Sequence, residues 1–235
     1  MYTLKNIIFL DIETVPQHKH YHELDDGFKK IWDKKAKFID REQSAEELYE
    51  QKAGIYAEYG KVIVISLGFF SHTEKELHFR TKTIAQHDEK LLLTEFSQLM
   101  LEKFNRKEYR FCAHNGKEFD YPYLCRRMIV HQIPLPPSLQ LMGKKPWNVQ
   151  HLDTLELWKF GDYKHYTSLE TLSIIFGIDT SKDDMDGSKV ATVYYHEQDL
   201  NRIANYCRQD VIATARIFLY YYGHGKLKNE HITAN

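Results

Sequence analysis

Residues 6–14 read NIIFLDIET, and this stretch decides the fold. Ile7 to Leu10 are apolar on both parities, the pattern of a strand buried on two faces at the centre of a sheet, and Pro16 bounds the run. Asp11 and Glu13 stand two residues apart, so both side chains leave one face about 7 Å from each other. Two carboxylates on a backbone apolar enough to be buried repel unless a cation joins them. The plain alternative is that the strand ends at Asp11 and both acids are solvated.

Outward from this strand the chain alternates. Lys61 to Phe70 (KVIVISLGFF) reads as a second strong strand, and Glu76 to Arg80 as its edge partner across a turn at Ser71 to Lys75. An amphipathic helix is predicted from Asp88 to Phe104, a short buried strand at Tyr109 to Ala113, a polar turn at His114 to Glu118 and a helix from Phe119 to His131. Ile133 to Trp147 holds four prolines and reads as a loop. A strand at Val149 to Thr154, helical runs around Leu155 to Phe160 and Ser168 to Phe176, and a turn-rich Thr180 to Ser188 follow. Leu200, Ile203, Cys207, Val211 and Phe218 then mark a helical stripe over Asp199 to Tyr222 that stops at Gly223. Such alternation predicts an α/β fold, a mixed central sheet flanked by helices.

The 235 residues suit one domain, 1–235, with a flexible tail at 223–235. Residues 17–60 carry 10 acidic and 8 basic side chains in 44 positions, a density that favours solvated helices (Glu23 to Lys37, Ser44 to Ala53) inserted on the flank over a separate core. A formal charge of −1 excludes a binder held to nucleic acid by bulk charge, yet leaves room for a local basic groove. Cys112, Cys125 and Cys207 are odd in number and lack a CxxC pair, which fits a reducing cytoplasm and no disulfide scaffold. No apolar run approaches signal-peptide or membrane-spanning length, so a soluble protein with no membrane partner is expected.

Two further acids belong with the first pair. Asp120 follows the turn Asn115-Gly116-Lys117-Glu118-Phe119 and precedes Pro122, where it reads either as a helix cap or as a carboxylate at the ligand-binding end of a strand. Tyr206 and Asp210 lie one helical turn apart beside the stripe through Ile203, Cys207 and Val211, so Asp210 is partly buried and needs a metal, Arg208 or a tyrosine hydroxyl as partner. Four acids on three elements match what two divalent ions about 3.5 to 4 Å apart require.

In these motifs the sequence resembles the DEDD, or DnaQ-like, 3′→5′ exonucleases of the ribonuclease H-like fold, and more specifically the proofreading exonuclease domain of family B DNA polymerases. Asp11-Ile12-Glu13-Thr14 resembles the first exonuclease motif, Asn115 with Phe119-Asp120 the second and Tyr206-x-x-x-Asp210 the third, in family order. The tyrosine marks the DEDDy branch; the DEDDh branch has histidine where this chain has Asn205. With 25 residues after Asp210, no polymerase module in cis is expected, and the chain resembles the stand-alone predicted exonucleases related to the polymerase domain.

The resemblance implies Asp11, Glu13, Asp120, Tyr206 and Asp210 as catalytic residues, with the four acids holding two Mg²⁺ or Mn²⁺ ions. It also implies Thr14, Asn115 and Phe119 as contacts to the 3′ end of a single strand, DNA favoured over RNA, cut to nucleoside 5′-monophosphates. A non-catalytic nucleic-acid-binding protein and a small-nucleotide phosphohydrolase on the same fold are the competing readings. His20 with Asp25, His151 with Asp153 and the acidic 182–188 run read as surface, cap and turn features.

Overall fold

The computed structural model describes residues 3–72, 76–106, 108–162, 164–178 and 185–234. Six strands form one mixed sheet: β1 (Ile7–Pro16), β2 (Gly60–His72), β3 (Leu77–Ala85), β4 (Arg110–Ala113), β5 (Leu152–Asp153) and β6 (Ile232–Ala234), in the order β5-β4-β1-β2-β3-β6. β2 runs antiparallel to β1 and β3, while β4 pairs parallel with β1 and β5. The predicted central strand is central, and the α/β expectation holds.

Parity along β1 sorts the two faces. Ile8, Leu10 and Ile12 pack against α3 (Glu89–Lys103) and α4 (Asp120–Val130) in the larger core. Ile7, Phe9 and Val15 face the opposite layer, whose main element is α8 (Leu200–Tyr222), ended by Gly223 in the left-handed region at φ 64°. Before α8 come α5 (Thr154–Lys159), α6 (Leu169–Ile175) and the single turn α7 (Val190–Thr192), which runs on as a π-turn to Glu197. Phe9 meets Phe70, Phe79 and Phe218 edge-on at 5.5 to 5.7 Å. Gly68 pairs with Phe9, and a Cβ there would lie 2.2 Å from Phe79 Cζ, so only glycine lets the rings close over the strand.

The β1–β2 register slips between Glu13 and Thr14: Glu13 pairs with Val64 and Thr14 with Val62, leaving Ile63 as the extra residue of a bulge. Ile63 and Val64 therefore share one face while Val62 and Ile65 share the other. Val62 N–H donates to Glu89 Oε1 at 2.7 Å, and Arg127 and His131 clamp the same carboxylate. Arg127 also reaches the Ala57 carbonyl at 2.9 Å. This buried cluster fixes the bulge beside Glu13, and nothing in the sequence pattern distinguishes its members from surface charges.

Three expectations need correction. The 17–60 insertion is helical as predicted, with α1 (Asp26–Ile39) capped by Asp25 and α2 (Ala45–Lys52) opened by a Ser44–Glu47 capping box. However, it owns a small core in which Trp32 is fully buried among Leu48, Tyr49 and Tyr59, its Nε1–H donating to the Ala45 carbonyl at 2.7 Å. Trp32 and Ala36 stand one turn apart on α1 and Leu48 on α2, each between charges, and the charge count hid them. Second, β3 is not an edge. Third, the tail expected to be flexible instead contributes β6, parallel to β3 through Phe79, Arg80 and Thr81. Among the described residues no helix is long and apolar enough to cross a membrane.

Candidate active site

Asp11 and Glu13 continue the odd face of β1 between Phe9 and Val15, so the strand aims them at α8 in the middle of an otherwise apolar layer. The two carboxylates and the Cys207 sulfur have ligand atoms within 4.8 Å of one another. The Cys207 thiol donates to the Asp11 carbonyl at 3.4 Å, and burial pushes its pKa up in the metal-free protein, so the carboxylates supply the anionic donors. Tyr206 flanks Cys207, and Asp210 follows one turn later with the Tyr206 hydroxyl as its hydrogen-bond partner. Arg208 turns away to Asn205 Oδ1 at 2.8 Å, which removes it as the neutralising partner of Asp210.

Asp120 reaches the cluster from α4. The β1–β4 pairing ends at Phe9 and Cys112, and past that end Asp120 Oδ1 accepts the Ile12 N–H at 3.2 Å. The helix cap position belongs to Phe119, which offers no side-chain bond, so the cap reading of Asp120 gives way to a buried acceptor against β1. The turn before it is shaped by Asn115 in the left-handed region at φ 64°. Gly116 is required by close approach, since a Cβ there would stand 2.4 Å from Ala113 Cβ.

Burial is the largest influence on each of the four acids, and it raises all of them. Neighbouring carboxylates push Asp11 and Glu13 well above the usual range, Glu13 first and then Asp120 and Asp210 acting on Asp11. Asp120 and Asp210 are pushed up to about 7. No cationic side chain figures among the influences on the four, and Asp11 Oδ2 is buried without a hydrogen-bond partner. A donor set dominated by mutually repelling carboxylates, one with an orphaned oxygen, fits a hard divalent cation. Burial first, and then the charges of Asp210, Glu13 and Asp11, raise the Tyr206 hydroxyl beyond any working pH, so it is a donor and never a base.

The sign of the pH dependence follows. Acids raised from about 3.9 in the unfolded chain to about 7 in the fold bind more protons folded than unfolded. Stability of the metal-free protein is therefore full below about pH 4 and falls as pH rises toward 7. We expect melting in EDTA to drop across this window and Mn²⁺ to restore it at pH 7.5. A melting temperature that rises from pH 4 to 7 in EDTA would contradict the uncompensated cluster.

A cleft of about 580 Å³ opens over Asp11 and Asp210, lined also by Tyr206, His114, Tyr166 and Lys189 among others; Glu13 and Asp120 are not part of its lining. Thr14, Asn115 and Phe119, expected at the substrate, do not line it: Thr14 contacts Tyr123, Asn115 N–H donates to Asp153 at 2.9 Å, and Phe119 packs on Tyr123. His114 was missed, although it adjoins Asn115 in sequence. It bonds Thr154 Oγ1 and the Thr167 carbonyl, both at 2.9 Å, and so ties the second motif to the N-terminus of α6. Burial lowers its pKa and keeps it neutral.

The other candidates take the plain roles. Asp153 caps α5 and His151, pushed down to about 4 by burial, accepts the Phe111 N–H. His20 pairs with Glu50 and Asp25 caps α1. Residues 182–184 of the acidic run lie outside the described residues; Asp186 caps the turn that follows.

Residues 55–235 match the family model described as "Predicted 3'-5' exonuclease related to the exonuclease domain of PolB". No curated relative matches the chain. Among solved structures, the family B DNA polymerase of the hyperthermophilic archaeon Pyrobaculum calidifontis is similar over 91% of this chain, with a TM-score of 0.55 and 14% identity. The chain spans 24% of that polymerase, and at this identity the likeness concerns the fold.

Proposed function

The chain belongs to the family of predicted 3′-5′ exonucleases related to the exonuclease domain of PolB, and from that membership we propose that it shortens a single nucleic-acid strand from its 3′ end by metal-dependent hydrolysis. DNA stands ahead of RNA as substrate because the related domain is that of a DNA polymerase. The observation that carries the reading is the acid cluster itself, with Asp11 Oδ2 unpartnered and no cation beside it.

Asp11, Glu13 and Asp210 would hold the divalent ions, and Asp120 would support them from α4. Ions held there supply hydroxide near neutral pH and stabilise charge on the leaving 3′ oxygen. The remaining work falls to the chain. The Tyr206 hydroxyl, kept protonated, orients the attacking water, and the apolar residues around the acids limit access of bulk water. Tyr166, 67% exposed on the cleft wall, offers a ring for the terminal base.

A 5′-labelled single-stranded DNA 30-mer incubated with Mg²⁺ or Mn²⁺ should yield a ladder that shortens from the 3′ end and stops with EDTA. Hydrolysis confined to free nucleotides would favour the phosphohydrolase reading, and binding with no metal-dependent cleavage the non-catalytic one. Cutting of a circular strand would contradict an exonuclease. Duplex should be degraded more slowly, because each terminal pair must open at about 1–2 kcal/mol.

A further inference from the structure

We propose that α1 is a second nucleic-acid contact, in which Lys30, Lys34, Lys37 and Arg41 hold successive phosphates of the strand whose 3′ end enters the cleft. This rests on the exonuclease reading and extends it to the 17–60 insertion. Four observations carry it.

Spacing comes first: Lys30, Lys34 and Lys37 recur at helical intervals on the side of α1 opposite the buried Trp32 and Ala36, Arg41 follows two residues past the helix end, and all four side chains are exposed. Second, none of the four side chains has an ion-pair or hydrogen-bond partner among the described residues. Other lysines of the helix are engaged, Lys29 with the His22 carbonyl and Lys35 over the Tyr56 ring. Asp33 and Asp40 share a groove with Lys34, Lys37 and Arg41, but Asp33 accepts from the Tyr21 hydroxyl and Asp40 from the Glu42 N–H, so neither forms an ion pair with the row. A chain of net charge −1 thus presents here a row of four cations with no ion pair among the described residues.

Third, Phe38 and Ile31 lie on the same exposed sector, 86% and 47% exposed. An aromatic side chain interleaved with unpaired cations suits a single strand, whose phosphates and base faces are both available. A membrane surface would need a continuous apolar face, and the apolar face of α1 is spent on the insertion's own core. Fourth, the insertion is rooted at the catalytic end of β1, between the paired residues Pro16 and Gly60, and Tyr195 holds the Pro16 carbonyl at 2.6 Å. Asp11 and Glu13 precede Pro16 on the same strand by five and three residues.

The test is binding of a fluorescent single-stranded 30-mer in EDTA, where no hydrolysis is needed, by wild type and by the combined variant Lys30→Gln, Lys34→Gln, Lys37→Gln, Arg41→Gln. All four side chains are exposed, and an unchanged melting temperature verifies the fold. The variant should lose about tenfold to a hundredfold in affinity, and the slope of log K against log salt should flatten by about 3, as four lost phosphate contacts on a single strand require. Phe38→Ala should weaken binding without changing that slope. Unchanged affinity and slope in the combined variant would overturn the proposal. So would an equal loss on a dinucleotide too short to reach α1, or wild-type binding of phosphatidylserine vesicles in preference to the strand. Strand binding that depends on the row, with no shortening in Mn²⁺, would uphold this surface and sink the exonuclease reading instead.

Discussion

Asp11→Asn should reduce strand shortening by about 10³-fold or more and, in EDTA at pH 7.5, raise rather than lower the melting temperature. Both effects have one cause. Asp11 stands at the meeting point of the cluster, raised by burial and by Glu13, Asp120 and Asp210 together, with one oxygen unpartnered. The amide keeps the volume and removes the charge, so the apo fold sheds repulsion worth about 1–3 kcal/mol, or roughly 3–10 °C for a chain of this size. The same change removes an anionic ligand, and Mn²⁺ titration by calorimetry should show weakened affinity and loss of one bound ion.

Asp210→Asn should behave alike, since it too is pushed up to about 7 by burial. Opposite signs for activity and apo stability separate ligand from scaffold. A structural carboxylate such as Glu89, which takes Val62 N–H, Arg127 and His131, would instead lose stability when replaced. A fall in melting temperature for both Asp11→Asn and Asp210→Asn in EDTA would contradict the metal-ligand assignment.

What the sequence made legible is what local periodicity encodes. Two-residue spacing put Asp11 and Glu13 on one face of β1, and four-residue spacing put Tyr206 and Asp210 on one side of α8; both hold because strand and helix geometry are set within a few residues. Asp120 was found by its place after a strand, but its partner, the Ile12 N–H, is 108 positions away and no pattern near Asp120 announces it. The same holds for Glu89, read only as the start of a helix, and for Arg127 within an ordinary Arg-Arg pair. Cys207 was assigned to the apolar stripe, where its sulfur lies, yet that stripe also borders the acids. β6 is three residues long, too short for alternation to register. The core of the insertion went unread because ten acids and eight bases outweigh a few apolar residues in any composition window.

Tyr206→Phe should lower kcat by about 10²-fold, and by no more than about 10⁴-fold, with the shape of the pH profile retained. The hydroxyl sits one turn from Asp210 and is raised by burial first and then by Asp210, Glu13 and Asp11, so it does not titrate in the working range and its loss removes no ionisation. Its effect on Asp210 is the opposite one: as hydrogen-bond partner it lowers the carboxyl's pKa, so the variant should need a slightly higher pH to bind Mn²⁺ and show wild-type affinity at pH 8. The ring remains, packed at the border of the Ile203–Cys207 cluster, so stability should change little. If the hydroxyl served only to satisfy Asp210, the cost would appear as about 1–3 kcal/mol of unfolding free energy, with kcat intact in the folded fraction. Paired measurement of kcat at pH 8 and unfolding in urea distinguishes the two, and unchanged kcat would remove Tyr206 from the chemistry.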